Sequence, residues 1–280
     1  MRLNVLSPWM GAQVHGLDLS APLSEGERQF VREAFDRHHL LVFADQQLDA
    51  KQQHDFSLLF GPYIDTHMKS PQDDVQYISN VVTGGAVGNG TLPFHSDHSF
   101  FEQPDTDAIV LYAINIPSEG GDTLYANAAL AFSDLDEDLK RRILPLHALH
   151  SLGAVYSDKA AQQAIHPLVW DERRSGERVL YVSELVKKIV ELDDTQSEAL
   201  IATLRAHIYR EEFLYRHQWK VGDVVVWNNR LLQHARTVFD PAQERTLRRC
   251  TLGLPTTIFP IEPCRQSQDR PSSTRTGGLS

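Results

Sequence analysis

The strongest constraint on the fold comes from four short strand-like segments that lie far apart in the chain: Leu40–Phe43, Ala108–Ile116, Val224–Trp227 and Leu247–Leu254. The first three are strand length and almost wholly apolar, as expected of buried strands, while the last carries Arg248 and Arg249 between its leucines. None could span a bilayer, which needs about 18 consecutive apolar residues. Helical patterns gather early. Ser24-x-x-Glu27 is a capping box before Phe30, Val31, Ala34 and Phe35, and Asp49 can cap a second helix carrying Phe56, Leu59 and Phe60 before Gly61-Pro62. A helical excursion is expected near Asn127–Leu144. A further helix with Leu200, Ile201, Leu204 and Ile208 on one face should start at a capping box, Thr195-x-x-Glu198. Val75–Val81 alternates like a half-buried strand, Val179–Val182 reads as a short strand, and Gly222-Asp223 is a turn. Widely separated strands with helices between them suggest an α+β protein with an antiparallel β core, helices on one side, and a jelly roll as the natural architecture.

No repeat divides the chain, and its 280 residues are consistent with one domain over 1–264. The tail 265–280, rich in Ser, Arg, Gln and Gly, is expected to be poorly ordered. Cys250 and Cys264 are too few for a disulfide framework, and no signal-peptide core follows Met1, so a reducing cytoplasmic setting is expected. The net charge of −10 argues against nucleic acid or an anionic membrane as partner. It leaves room for a small anionic substrate held by a few buried arginines.

The chemistry concentrates in Phe94-His95-Ser96-Asp97-His98. On a strand, positions i and i+2 share a face, so His95 and Asp97 would point together. One imidazole and one carboxylate so placed can chelate a divalent cation. A distant histidine, with His234 as the candidate, completes a set of two histidines and one carboxylate that suits iron(II) and leaves coordination positions open. Taken alone, His-x-Asp is a weak signal, and a surface or hydrogen-bonded histidine is the plainer reading. Arg245 and Arg249 share a face by the same rule, with Arg248 opposite; such a fork suits a carboxylate, although a solvated pair on an edge strand has the same spacing. The glycine-rich stretch 83–91 reads as a loop or as a lid over substrate.

Together, His95-Ser96-Asp97, Gly120-Gly121-Asp122-Thr123, Gln218-Trp219-x-x-Gly222-Asp223, Trp227-x-Asn229-Arg230, His234 and Arg245/Arg249 resemble the taurine dioxygenase family, which includes 2,4-dichlorophenoxyacetate dioxygenases. The resemblance runs from about residue 5 to 257. It implies a double-stranded β-helix (jelly roll) with flanking helices, and Fe(II) on His95, Asp97 and His234. It further implies 2-oxoglutarate with its distal carboxylate on Thr123 and Arg245, and O2 as the oxidant. The expected reaction oxidises, most simply hydroxylates, a C–H bond of a small carboxylate or sulfonate, with release of succinate and CO2. Arg249 would meet either the substrate anion or the cosubstrate, and His67 and Asn80 lie in a region similar to one that closes over substrate. Relatives suggest a homo-oligomer, dimer or tetramer. Phe94 and Asn228 depart from the family pattern, where Trp and Asp are common.

Two other classes share part of this pattern. A metal-dependent hydrolase is echoed by Ser96-Asp97-His98, but its motif needs a histidine where Pro93 stands, and His98 should face away from His95. A non-catalytic jelly-roll binding protein would be expected to have lost one of the three ligands.

Overall fold

A computed structural model describes residues 1–64, 76–83, 90–102, 104, 106–152, 162–172 and 175–253. His67, Cys264, most of the 83–91 stretch and the C-terminal tail lie outside the described residues, as do the expectations placed on them.

In chain order the elements are β1 (Arg2–Val5), β2 (Ala12–His15), α1 (Glu25–His38), β3 (Leu40–Phe43), α2 (Ala50–Ser57), β4 (Gln76–Ser79), β5 (Leu92–His95) and β6 (Ala108–Asn115). There follow β7 (Thr123–Asn127), α3 (Ala128–Asp134), α4 (Glu137–Ile143), β8 (His147–Ser151), β9 (Gln163–Pro167), β10 (Val169–Asp171), β11 (Arg178–Leu180) and β12 (Val186–Ile189). The chain continues with α5 (Asp194–Ile208), β13 (Leu214–His217), β14 (Val224–Asn228), β15 (Leu232–Arg236) and β16 (Thr246–Leu252).

The four expected segments form the middle of a seven-stranded sheet ordered β1-β2-β3-β14-β6-β16-β4, antiparallel except between β2 and β3. A four-stranded antiparallel sheet, β13-β7-β15-β5, carries most of the chemistry. Smaller pairings, β12-β8-β9 and β10-β11, complete the strands among the described residues. The chain is thus mixed α and β, dominated by antiparallel pairing, as expected.

Alternation along β14 explains why its first four residues are all apolar. Val225 and Trp227 pack with Tyr125 and Leu232 of the four-stranded sheet. Val224 and Val226 face the other way, against Val31 and Phe35 of α1 and Phe56 of α2. Beyond the four-stranded sheet, Ala126 packs with Ala131 and Phe132 of α3 and with Leu200 and Leu204 of α5. Helices therefore cover both outer surfaces, not one side. The early part of the chain supplies one layer only, because β7 and β15 also need their outward faces buried.

The Ser24/Glu27 and Asp49/Gln52 capping boxes form. The expected box at Thr195 does not. Asp193 caps α5 instead, accepting from the Gln196 amide, because a carboxylate standing two residues earlier satisfies the first free N–H groups. The excursion after Asn127 splits into α3 and α4, the second capped by Asp136. Cys250 is buried and unpaired. Among the described residues no helix is long and apolar enough to cross a membrane.

Candidate active site

His234 on β15 stands opposite His95 on β5 and opposite Tyr125 on β7. Directly opposed residues of antiparallel strands project to the same face, so both histidines enter the space between the sheets. Their ring centroids are 4.2 Å apart. Strand β5 ends at His95, and Asp97 lies in the turn that follows, not on the strand. Strand alternation is therefore not what unites His95 and Asp97. Asn229 holds the turn instead: its Oδ1 accepts from the Asp97 amide at 3.0 Å, and its Nδ2 donates to the carbonyls of Asp97 and Thr106, each at 3.2 Å.

The result is a compact donor set. His95 Nε2 lies 3.6 Å from Asp97 Oδ1, and His234 Nε2 lies 3.8 Å from Asp97 Oδ2. One ligand atom from each of the three residues lies within 4.8 Å of the others. His95 Nδ1 donates to the Pro93 carbonyl at 2.8 Å, which fixes the ring and turns Nε2 to the donor set. Burial lowers the pKa of His234 to about 3, helped by neighbouring His95, so its imidazole is neutral and able to ligate. Burial pushes the Asp97 carboxyl up, but Arg249 and then the two histidines outweigh it and hold the group well below the usual carboxylate range. Two neutral imidazoles and one carboxylate can hold a divalent cation with open positions. His98 takes a left-handed backbone (φ 63°) and turns its ring onto Thr106 and Phe101, away from this set. The arrangement a hydrolytic binuclear motif would require is therefore missing.

Beside the donor set lies a second feature. Arg245 is 2% exposed, its Nε donates to the Gly121 carbonyl at 2.9 Å, and its Nη1 is buried without a partner. Burial, then Arg236, lowers its pKa to about 9. A buried guanidinium with an orphaned N–H is a costly state that an incoming anion would relieve. The Gly120-Gly121 step is what lets it in. Both glycines have positive φ, 74° and 68°, and a Cβ on Gly121 would lie 2.9 Å from Arg245 Nε.

The other expected site residues fall as follows. Thr123 lies on β7 two residues before Tyr125, its Oγ1 accepting from Trp219 Nε1 at 2.9 Å. Trp219, part of a motif that carries the family resemblance, thus orients the threonine hydroxyl. Arg249 points inward to Asp97 at 2.6 Å and donates to Thr251 Oγ1 at 3.1 Å. Arg248 points outward to Gln53 Oε1 at 2.6 Å, so the expected alternation holds. Asn80 is engaged elsewhere: its Nδ2 donates to Gln243 O at 2.9 Å and its Oδ1 accepts from the Arg245 amide at 2.9 Å. These bonds make Asn80 a clamp on the segment before β16. Sequence reasoning missed Arg236, which is 5% exposed and stands across from Thr123 with its guanidinium on the Gly90 carbonyl. The available signal was the even offset from His234.

The sequence model of the taurine catabolism dioxygenase TauD/TfdA family matches residues 3–251. The chain belongs to this family. It is an oxidoreductase, a dioxygenase of the TauD/TfdA kind. An alpha-ketoglutarate-dependent 2,4-dichlorophenoxyacetate dioxygenase from Burkholderia sp. is 34% identical over 88% of this chain and 92% of its own length. An alpha-ketoglutarate-dependent sulfate ester dioxygenase from Pseudomonas putida is 30% identical over 87% of this chain and 86% of its own. The crystal structure of AAD-2 with Mn(II) and N-oxalylglycine superposes with a TM-score of 0.82 at 28% identity, covering 92% of this chain and 99% of that one. The fold of this TauD/TfdA protein is therefore that of known dioxygenases.

Proposed function

We propose that this TauD/TfdA dioxygenase binds Fe(II) through His95, Asp97 and His234 and uses 2-oxoglutarate (alpha-ketoglutarate) and O2 to oxidise a C–H bond of a small anionic molecule. The observation that carries the reading is the pairing of the three-residue donor set with the orphaned Arg245 guanidinium. Bound there, Fe(II) would supply the redox chemistry that couples O2 to loss of CO2 from the oxo acid, leaving succinate and an oxidised substrate.

The residues divide that work by position. Three protein ligands would leave open positions on a bound cation for the oxo acid and a further small molecule. Thr123 is two residues from the His234–Tyr125 row, about 7 Å along the strand. A five-carbon diacid spans a comparable distance, so its distal carboxylate would reach Thr123 and the free N–H of Arg245 while its oxo-acid end meets the cation. The names of the relatives support 2-oxoglutarate dependence and anionic substrates. So does N-oxalylglycine in the AAD-2 crystal structure, because it has the same heavy-atom chain as 2-oxoglutarate with nitrogen in place of one carbon. Arg249 would orient Asp97 and present positive charge to the substrate's carboxylate, sulfonate or sulfate ester. The two facing sheets are best read as the halves of a double-stranded β-helix, which holds the donor set between rigid strands and sheltered from bulk water.

The test is anaerobic addition of Fe(II) and 2-oxoglutarate to purified protein. A weak visible band from the chelated oxo acid is expected, and His95→Ala or Asp97→Ala should abolish it. Carboxylates, sulfonates, sulfate esters and aryloxyalkanoates are then screened for substrate-dependent succinate formation. A band that persists in both variants would remove the assignment of the ligands.

A further inference from the structure

On the inner face of the four-stranded sheet, β7 and β15 present two adjacent rows. His234 stands across from Tyr125, and Arg236 stands across from Thr123. Tyr125 is 0% exposed, and its hydroxyl lies beside Thr123 without forming a well-aligned hydrogen bond to it or to any other described group. Its ring cannot easily swing away, because Trp227 packs edge-on at 5.3 Å and Tyr215 lies nearly parallel at 6.3 Å. A buried phenol without a well-formed hydrogen bond is a cost to the ligand-free protein that an incoming acceptor would relieve. The Arg245 Nη1 is orphaned as well, and the two groups lie close enough to influence each other electrostatically. Two unsatisfied donors beside a threonine hydroxyl describe a place for an anion with several acceptor oxygens.

We propose that the Tyr125 hydroxyl is a third donor to the distal carboxylate of the cosubstrate, acting with Thr123 and Arg245, and that it sets the preference for a dicarboxylic over a monocarboxylic oxo acid. This rests on the 2-oxoglutarate reading given above. Burial, and then nearby Tyr215, raise the phenol's pKa well above its ordinary value, so it stays protonated and keeps an O–H to donate. A carboxylate has about four acceptor positions, enough for the Tyr125 and Thr123 hydroxyls and one or two N–H groups of Arg245.

Calorimetric titration of Mn(II)-loaded protein, in which no turnover occurs, separates the possibilities. The ligands are 2-oxoglutarate and 2-oxobutyrate, which share the oxo-acid end but differ in the distal carboxylate. Tyr125→Phe should weaken 2-oxoglutarate about tenfold, the value of one hydrogen bond to a charged group. It should leave 2-oxobutyrate unchanged. The ligand-free variant should melt at or above the wild-type temperature, because the removed hydroxyl made no well-aligned hydrogen bond. Equal 2-oxoglutarate affinity in the two proteins overturns the inference, as does an equal loss for both oxo acids or a lowered melting temperature. Wild-type protein that binds no 2-oxoglutarate overturns the underlying reading as well, and is told apart because the failure is already present before any substitution.

Discussion

Arg249 Nη2 donates to Asp97 Oδ2 at 2.6 Å, joining β16 to the turn after β5 across 152 residues of chain. The side chains are only 7% and 14% exposed, so the pair is shielded from solvent. With Oδ2 engaged, Oδ1 faces His95, and the carboxylate is held in one orientation before any cation arrives.

Arg249→Met should therefore destabilise the metal-free protein by about 3–5 kcal/mol, because it strands a buried carboxylate. Mn(II) should then raise the melting temperature of the variant more than that of the wild type, since the cation replaces the lost guanidinium. Denaturant titrations with and without Mn(II) measure both effects. A variant as stable as the wild type without metal would show that the ion pair contributes nothing to folding.

Arg245 is a different case. Its charge is buried with one N–H unpaired, and burial, with Arg236 close by, weakens its hold on the proton. Ligand-free Arg245→Met should thus lose little stability, because removing the buried charge and its orphaned donor offsets the lost hydrogen bond to the Gly121 carbonyl. The loss appears on binding. 2-Oxoglutarate at one hundred times its dissociation constant should stabilise the Mn(II)-loaded wild type by about 2.7 kcal/mol. It should stabilise the variant far less. Equal stabilisation of both, read by differential scanning fluorimetry, would place the distal carboxylate somewhere else.

Gly121 links the backbone to that site. A Cβ there would meet Arg245 Nε at 2.9 Å and Cδ at 3.0 Å, and the residue's φ of 68° already disfavours any side chain. Gly121→Ala should cost about 1–2 kcal/mol from the left-handed backbone alone. It should also weaken 2-oxoglutarate binding by displacing the guanidinium. Affinity that survives while stability falls would separate the glycine's backbone role from its role in making room.

Much of the site was legible in the sequence, and the limits follow from what periodicity encodes. Alternation sends Arg249 inward and Arg248 outward, and both are so placed. His234 was located by its position after an apolar run, and β15 does set it across from His95. The His95–Asp97 pair was expected for the wrong reason: the strand stops at His95, and it is Asn229, more than a hundred residues away, that brings the aspartate back. No local pattern reports a contact at that separation. For the same reason Asn80 could be placed near the site but not recognised as a clamp on the Arg245 backbone. Tyr125 escaped notice because it looks like any buried strand residue. What distinguishes it is a buried hydroxyl without a well-aligned hydrogen bond, and only the packed structure reveals that.

The protein should also lose stability in mild acid, for a reason outside the donor set. His150 on β8 is 0% exposed, neither ring nitrogen has a hydrogen-bond partner, and Tyr181 lies against it at 4.5 Å with His166 at 5.3 Å. Burial, reinforced by His166 and Arg205, depresses its pKa well below the ordinary 6.5. In the unfolded chain the same imidazole takes a proton near 6.5, so below that pH the unfolded state binds more protons than the folded one. The stability of the folded state is then fully present above pH 6.5 and declines as the pH falls toward the depressed value. His234 follows the same sign in the metal-free protein, over a window from 6.5 down to about 3. Unfolding free energies measured from pH 7.5 to 4.5 should fall steadily, and His150→Leu should flatten the slope while keeping Mn(II) binding intact. An unchanged slope would mean that His150 already carries a proton in the fold.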